Sequence, residues 1–166
     1  MIATKAAMFV DVVNQFYNNN SVRLDYERYL AEASRGSDVL RAFAYGAQMN
    51  EEAEPFLTMM RHLGWETRYR RAVVVGERRD IFRTDRNMMI AMDVWRLIGR
   101  VELVVLGSND AELIPLVERV RELGVQVGVL TCHPNRELAR SADWSAEFDC
   151  AIAAAAPAAG RPLCQT

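Results

Sequence analysis

A three-layer α/β/α sandwich around a mostly parallel sheet is the fold class this sequence predicts, and three observations point to it. Ala6-Ala7-Met8-Phe9-Val10 and Val101 to Leu106 are nearly unbroken apolar runs, the pattern of strands covered by helices on both faces. Stretches with apolar residues at helical spacing lie between such runs, so strand and helix alternate along the chain. Gly64 and Gly124 close two of those stretches, where a helix C-terminus needs a left-handed residue.

The first strand ends at Asp11, and Asn18-Asn19-Asn20-Ser21 is turn-forming. A helix is expected from Asp25 to Ser34, with Tyr26, Tyr29, Leu30 and Ala33 on one face. Val39 to Tyr45 reads as a second strand and Glu51 to Leu63 as a helix carrying Phe56, Met59, Met60 and Leu63. Trp65 to Val75 predicts one or two short strands in a basic setting, and Arg78 to Asp85 a polar loop. From Asn87 to Ile98 the residues are apolar almost all round except Asp93, which predicts a helix buried against the sheet. Val101 to Leu106 (strand), Ala111 to Leu123 (helix) and Val125 to Leu130 (strand) follow. Residues 1–150 form one expected domain, and the Ala/Pro-rich stretch 151–166 a peripheral tail.

Bulk properties suit a folded, soluble chain. The 166 residues are enough for one core, with 51% hydrophobic and 25% charged residues. A formal net charge of −2 and a pI near 5.8 argue against coating nucleic acid by overall charge. Cys132, Cys150 and Cys164 form no CxxC pair, so neither a disulfide framework nor a zinc ribbon is expected, and a reducing cytoplasm is the simplest compartment. Asp11 and Asn14 cut short the only signal-like segment, and no stretch reaches the roughly 18 to 20 apolar residues of a membrane span.

Ligands of open parallel sheets gather beyond the carboxyl ends of strands. Asp11, Asn14, Asp110 and Glu112 all fall at such ends and offer hard oxygens, the donors Mg²⁺ prefers. The same aspartates also suit helix and loop capping, so both roles stay open. Arg68, Arg70, Arg71, Arg78, Arg79, Arg83 and Arg86 make a basic stretch with Tyr69 and Phe82 interleaved. It fits phosphate binding and base stacking as well as a solvated face paired with Glu66, Glu77, Asp80 and Asp85. Phe16 and Tyr17 offer a second stacking platform or core packing. Asp93 is either a site residue or a buried carboxylate satisfied by backbone N–H or an arginine. His62 reads as a surface or boundary residue, His133 beside Cys132 as a weak base and nucleophile pair, and Met49, Met59, Met60, Met88, Met89 and Met92 as core filling. No Gly-rich phosphate loop occurs. Asp11-Val12-Val13 also lacks the second Asp, two residues on, that a phosphatase of similar fold uses as general acid.

Phe9-Val10-Asp11-Val12-Val13-Asn14-Gln15-Phe16-Tyr17 resembles the opening motif of the LabA-like NYN proteins, a PIN-like nuclease group. Leu24 to Leu30, Leu40 to Tyr45, and Phe56 to Arg68 with its Leu63-Gly64-Trp65-Glu66 turn follow in the family's order. Val104 to Leu116, Leu123 to Val127 and Leu138 to Phe148 complete a likeness covering about residues 6–150. The resemblance implies a PIN-like fold and Mg²⁺- or Mn²⁺-dependent cleavage of RNA, single-stranded or structured. Asp11, Asp110 and, by conservative replacement, Glu112 would hold the metal. Asn14 and Asn87 would orient water or phosphate, and Ser108, Asn109, Arg83 and Arg86 would contact substrate. Asn109 stands where the family has Gly, and Asn87 where it has Asp, which removes a charge that Asp85 is near enough in sequence to restore. A catalytically degenerate RNA-binding or regulatory module is the alternative; membrane partners are not expected, and self-association is left open. Asp93 matches a family Asp but lies six residues from Asn87, about 600° of helical rotation, so one face cannot present both.

Overall fold

A computed structural model describes residues 3–48, 53–71 and 81–150, without the side chains of 48, 70, 71 and 81–85. The expected tail 151–166, Met49, Cys164, Arg78 and Arg79, and the side chains of Arg70, Arg71, Arg83 and Asp85 therefore lie outside the described residues.

Six strands form one all-parallel sheet: β1 (Thr4–Asp11), β2 (Ser37–Gln48), β3 (Glu66–Arg71), β4 (Leu103–Gly107), β5 (Gln126–Thr131) and β6 (Trp144–Glu147). Their order is β3-β2-β1-β4-β5-β6, so β1 pairs with β2 on one edge and with β4, far along the chain, on the other. Six helices cover the sheet: α1 (Val12–Asn18), α2 (Tyr26–Ala33), α3 (Glu54–His62), α4 (Ile81–Leu97), α5 (Ile114–Glu122) and α6 (Arg136–Ser141). The expected fold class holds, with a sheet that is wholly rather than mostly parallel.

The period-2 alternation of β1 divides the core. Ala6, Met8 and Val10 join Tyr26, Tyr29, Met60 and Trp65 on one face, while Ala7 and Phe9 join Ile90, Val94, Val117 and Leu138 on the other. Asp11 is the next residue in the Ala7–Phe9 alternation, which turns it toward the α4 side. Gly64 and Gly124 sit at φ +92° and +80°, as expected of residues that close α3 and α5.

Four expectations need correction. Residues 12–18 form helix α1, unforeseen because two valines and two asparagines are poor helix formers; the Asp11 carboxylate accepts the Asn14 N–H and caps it. Helix α4 begins at Ile81, inside the stretch 78–85 expected as a loop. It is not buried all round: Met88, Met92 and Trp95, at i, i+4 and i+7, are more than half exposed, and Met59 on α3 is exposed too, so these methionines do not fill the core. Finally, Cys132 and Cys150 form a disulfide with Cα atoms 6.0 Å apart. Cys132 directly follows β5 and Cys150 lies just beyond β6; because these strands are paired neighbours, residues remote in sequence meet. Cysteine spacing alone carries no trace of that register, and the argument for a reducing compartment loses its premise. Short elements α6 and β6 were also not foreseen as separate pieces.

Closing the 18-residue separation of this disulfide constrains the unfolded chain, so its reduction is expected to lower stability by about 3 kcal/mol. Urea unfolding with and without a thiol reductant measures this, and coincident curves would contradict it.

Candidate active site at the sheet crossover

The chain leaves β1 for α1 on one face and leaves β4 for α5 on the other, so a crevice opens beyond the ends of these adjacent strands. Val10 pairs with Gly107, which sets Asp11 level with Ser108 and places Asn109 and Asp110 just above.

Asp11 is 1% exposed. Its Oδ1 accepts the Asn14 N–H at 2.9 Å, and Arg86 Nε lies 3.0 Å from both carboxylate oxygens. Burial pushes the Asp11 carboxyl above the ordinary range; the Arg86 guanidinium and the N–H groups at the start of α1 work in the opposite direction. Arg86, expected to reach substrate, is itself buried and paired with Asp11.

The neighbouring residue serves the other half of the crevice. Asn87, 8% exposed, points its amide nitrogen at Asp110 Oδ2 (2.9 Å) and Glu112 Oε2 (3.0 Å). It does so from the second turn of α4, which begins at Ile81 and not at Asn87 as expected. Its Oδ1 is buried and has no hydrogen-bond partner. Asp110 also caps the 3₁₀ turn Ala111–Leu113, its Oδ1 accepting the Glu112 N–H at 3.0 Å, which is the capping role the sequence left open.

Asparagines stitch the loops together. Asn14 Oδ1 accepts the Asn109 N–H and the Asn18 amide, each at 2.8 Å, and Asn109 Oδ1 accepts the Asn135 N–H. Ser108 is buried, its Oγ accepting the Asp110 N–H at 3.3 Å. Ser108 and Asn109 thus hold the turn with the atoms expected to meet substrate. Gln15, which sequence reading passed over, is buried and exchanges hydrogen bonds with Thr131, fixing α1 to the end of β5. A lone glutamine within a polar run gives no signal of that contact.

Other candidates are committed elsewhere. Asp93 accepts from Tyr45 Oη (3.0 Å) and Arg68 Nε (3.3 Å) and lies 3.5 Å from Arg96, making it the arginine-satisfied carboxylate among the two expected readings. Arg68 therefore belongs to a structural network that also includes Glu66 and Arg41. Cys132 is oxidised and is no thiol nucleophile; its neighbour His133 faces Glu147 at 3.5 Å. His62 is exposed, as expected, and so is Tyr17 at the end of α1.

Among the described residues no group of three or more acidic, histidine or cysteine side chains is gathered closely enough to chelate a metal. The donors divide instead. Asp110 and Glu112 both accept from the Asn87 amide nitrogen, while the amide oxygen is buried without a hydrogen-bond partner; the oxygens of these three side chains are the kind of donor a hard cation takes. Asp11 is paired with Arg86.

The raised pKa of Asp11 has a calculable sign. The folded state binds this proton more tightly than the unfolded chain, so the resulting stabilisation is full below the ordinary carboxylate pKa and is lost as pH rises through the folded-state value. Urea unfolding over that acidic window should show wild-type stability falling with pH more steeply than that of Asp11→Asn; identical slopes would refute this.

A search of curated proteins gives no match. Among solved structures, one similar to this chain is a protein of unknown function, VPA0982 from Vibrio parahaemolyticus RIMD 2210633. It superposes with a TM-score of 0.79 at 23% identity, covering 89% of this chain and 94% of that one. This likeness bears on the fold. The family model for the NYN domain, a PIN-like nuclease family, matches residues 5–148, a span that runs from the second residue of β1 through β6 and takes in both halves of the crevice. The chain belongs to the NYN domain family.

Proposed function

We propose that this NYN domain is a metal-dependent ribonuclease whose crevice at the β1–β4 crossover takes an RNA phosphodiester. The carrying observation is the gathering of Asp110 and Glu112 around the Asn87 amide, whose nitrogen donates to both carboxylates and whose buried oxygen has no hydrogen-bond partner. Those three residues would hold Mg²⁺ or Mn²⁺. When bound, such a cation polarises the phosphoryl group and makes a bound water a better nucleophile.

The chain's own groups supply the rest. The Asp11–Arg86 pair packs the floor of the crevice and keeps the start of α1 in place. Asn14 holds the Asn109 backbone and so fixes the loop from which Asp110 projects. Exposed Tyr17 offers a ring on which a base can stack. No helix among the described residues is long and apolar enough to cross a membrane.

A second reading, an RNA-binding regulatory module without cleavage, is favoured by two features: Asn87 contributes no charge, and Asp11 is occupied by an arginine. Labelled single-stranded RNA incubated with Mg²⁺ or Mn²⁺ separates the two. The nuclease reading expects cleavage that falls by about 10²-fold or more in Asp110→Asn and Glu112→Gln, the scale on which one essential electrostatic group acts. Salt-sensitive binding without cleavage in either metal would establish the module instead. In the nuclease, Asn87→Asp is expected to tighten Mn²⁺ binding by about tenfold, since a third carboxylate then faces the cation. Unchanged affinity by calorimetry would remove Asn87 from the ligand set.

A further inference from the structure

We propose that the Cys132–Cys150 disulfide is a reversible thiol-exchange site: a small amine-bearing thiol enters the cleft beside it, attacks Cys150 and opens the bond with the fold intact.

Three observations carry it. First, the bond can be reached. Both cysteines line a cleft of about 460 Å³ together with Asn20, His133, Glu147 and Asp149. Cys132 is buried whereas Cys150 is only partly so, which makes Cys150 the sulfur open to attack. Second, the surroundings hold without the bond. β6 pairs with β5 through its own backbone ladder, Phe148 is buried against the Tyr29 ring at 5.1 Å, and Arg28 donates to the Asp149 carbonyl at 3.2 Å. The reduced sulfurs also have places to go. Cys132 lies in the apolar core, where a free thiol behaves as a small hydrophobe, and Cys150 Sγ is 3.1 Å from the Phe148 carbonyl oxygen, an acceptor for its thiol proton. Third, the cleft carries charge. Arg28 engages Asp149 at 3.7 Å, whereas Glu147, its side chain 66% exposed beside His133, brings a carboxylate to the cleft wall. An ammonium group is attracted there and an anionic thiol repelled.

The exchange balances in two steps. A thiolate attacks Cys150 Sγ and forms a mixed disulfide while the Sγ–Sγ bond breaks; Cys132 leaves as a thiolate and takes a proton from water. A second thiolate attacks the sulfur of the attached small molecule, releasing a symmetrical small-molecule disulfide and freeing Cys150, which water also protonates. Two small thiols are thereby oxidised and the cysteine pair reduced, and the small disulfide as oxidant closes the bond by the reverse steps.

Cysteamine is the probe, applied to the full chain carrying Cys164→Ser so that only this pair responds. The rate of thiol release is expected to be proportional to cysteamine concentration and to change less than about twofold with urea below the unfolding transition, because attack occurs in the folded chain. Circular dichroism should stay native, an acid-quenched sample should carry the probe on Cys150 by mass spectrometry, and cystamine should restore the bond. At equal thiolate concentration and low salt, 2-mercaptoethanesulfonate is expected to react about threefold or more slowly, and Glu147→Gln to narrow that gap. A rate that no longer rises with cysteamine, or that climbs steeply with urea, would mean that the bond opens only through unfolding and would overturn the site. Loss of native dichroism on reduction, or the probe appearing on Cys132, would do the same. Equal rates for the two thiols would overturn the assignment of an amine-bearing partner.

Discussion

Parallel pairing of β1 with strands on both of its edges is the constraint from which the site follows. A parallel partner cannot be reached by a hairpin, so each connection must travel over a face of the sheet and return through a helix. Placing β1 between β2 and β4 sends the connections that leave β1 and β4 to opposite faces and leaves a gap above these strand ends. Every polar group at the crevice is held relative to that gap: Asp11 by the end of β1, Asn109 and Asp110 by the turn after β4, and Gln15 by its bonds to Thr131 at the end of β5.

The polar groups crowded there must satisfy one another, which explains how tightly they are coupled. An unpaired carboxylate as buried as Asp11 would be strongly disfavoured, and α4 answers it with a guanidinium. The same helix then turns by one residue to reach the β4 loop, and six residues further on uses Asp93 to close a separate network on β2 and β3. Helix α4 is therefore both a covering layer and the carrier of the side chains that set the electrostatics of the site.

Much of this was legible in the residue order. Unbroken apolar runs such as Ala6 to Val10 announce central parallel strands, and an aspartate ending such a run falls beside the crossover wherever the strand is central. Asp11 and Asp110 arrive in the crevice for that reason, with Glu112 two residues on, whereas Asn87 is brought there by α4 and its divergence from Asp93 follows from helical rotation. The burial of Arg86 beside Asp11 is not legible, because a run of arginines looks the same whether it meets substrate, is solvated or folds inward; only the position of α4 over β1 distinguishes the cases. The disulfide depends on the β5–β6 register, and α1 on a cap stronger than the propensities of its residues. Each is a tertiary effect that local composition does not encode.

The two outer strands bring a different consequence. Among the described residues the six-stranded sheet is open, and its outer strands β3 and β6 each have a strand partner on one side. β3 runs beside the Glu66, Arg68 and Arg41 ion cluster; β6 is only four residues long and is followed almost at once by the covalent link at Cys150. A charged border on one side and a truncated, tethered one on the other offer a poor template for strand addition, so the sheet is protected against edge-to-edge aggregation.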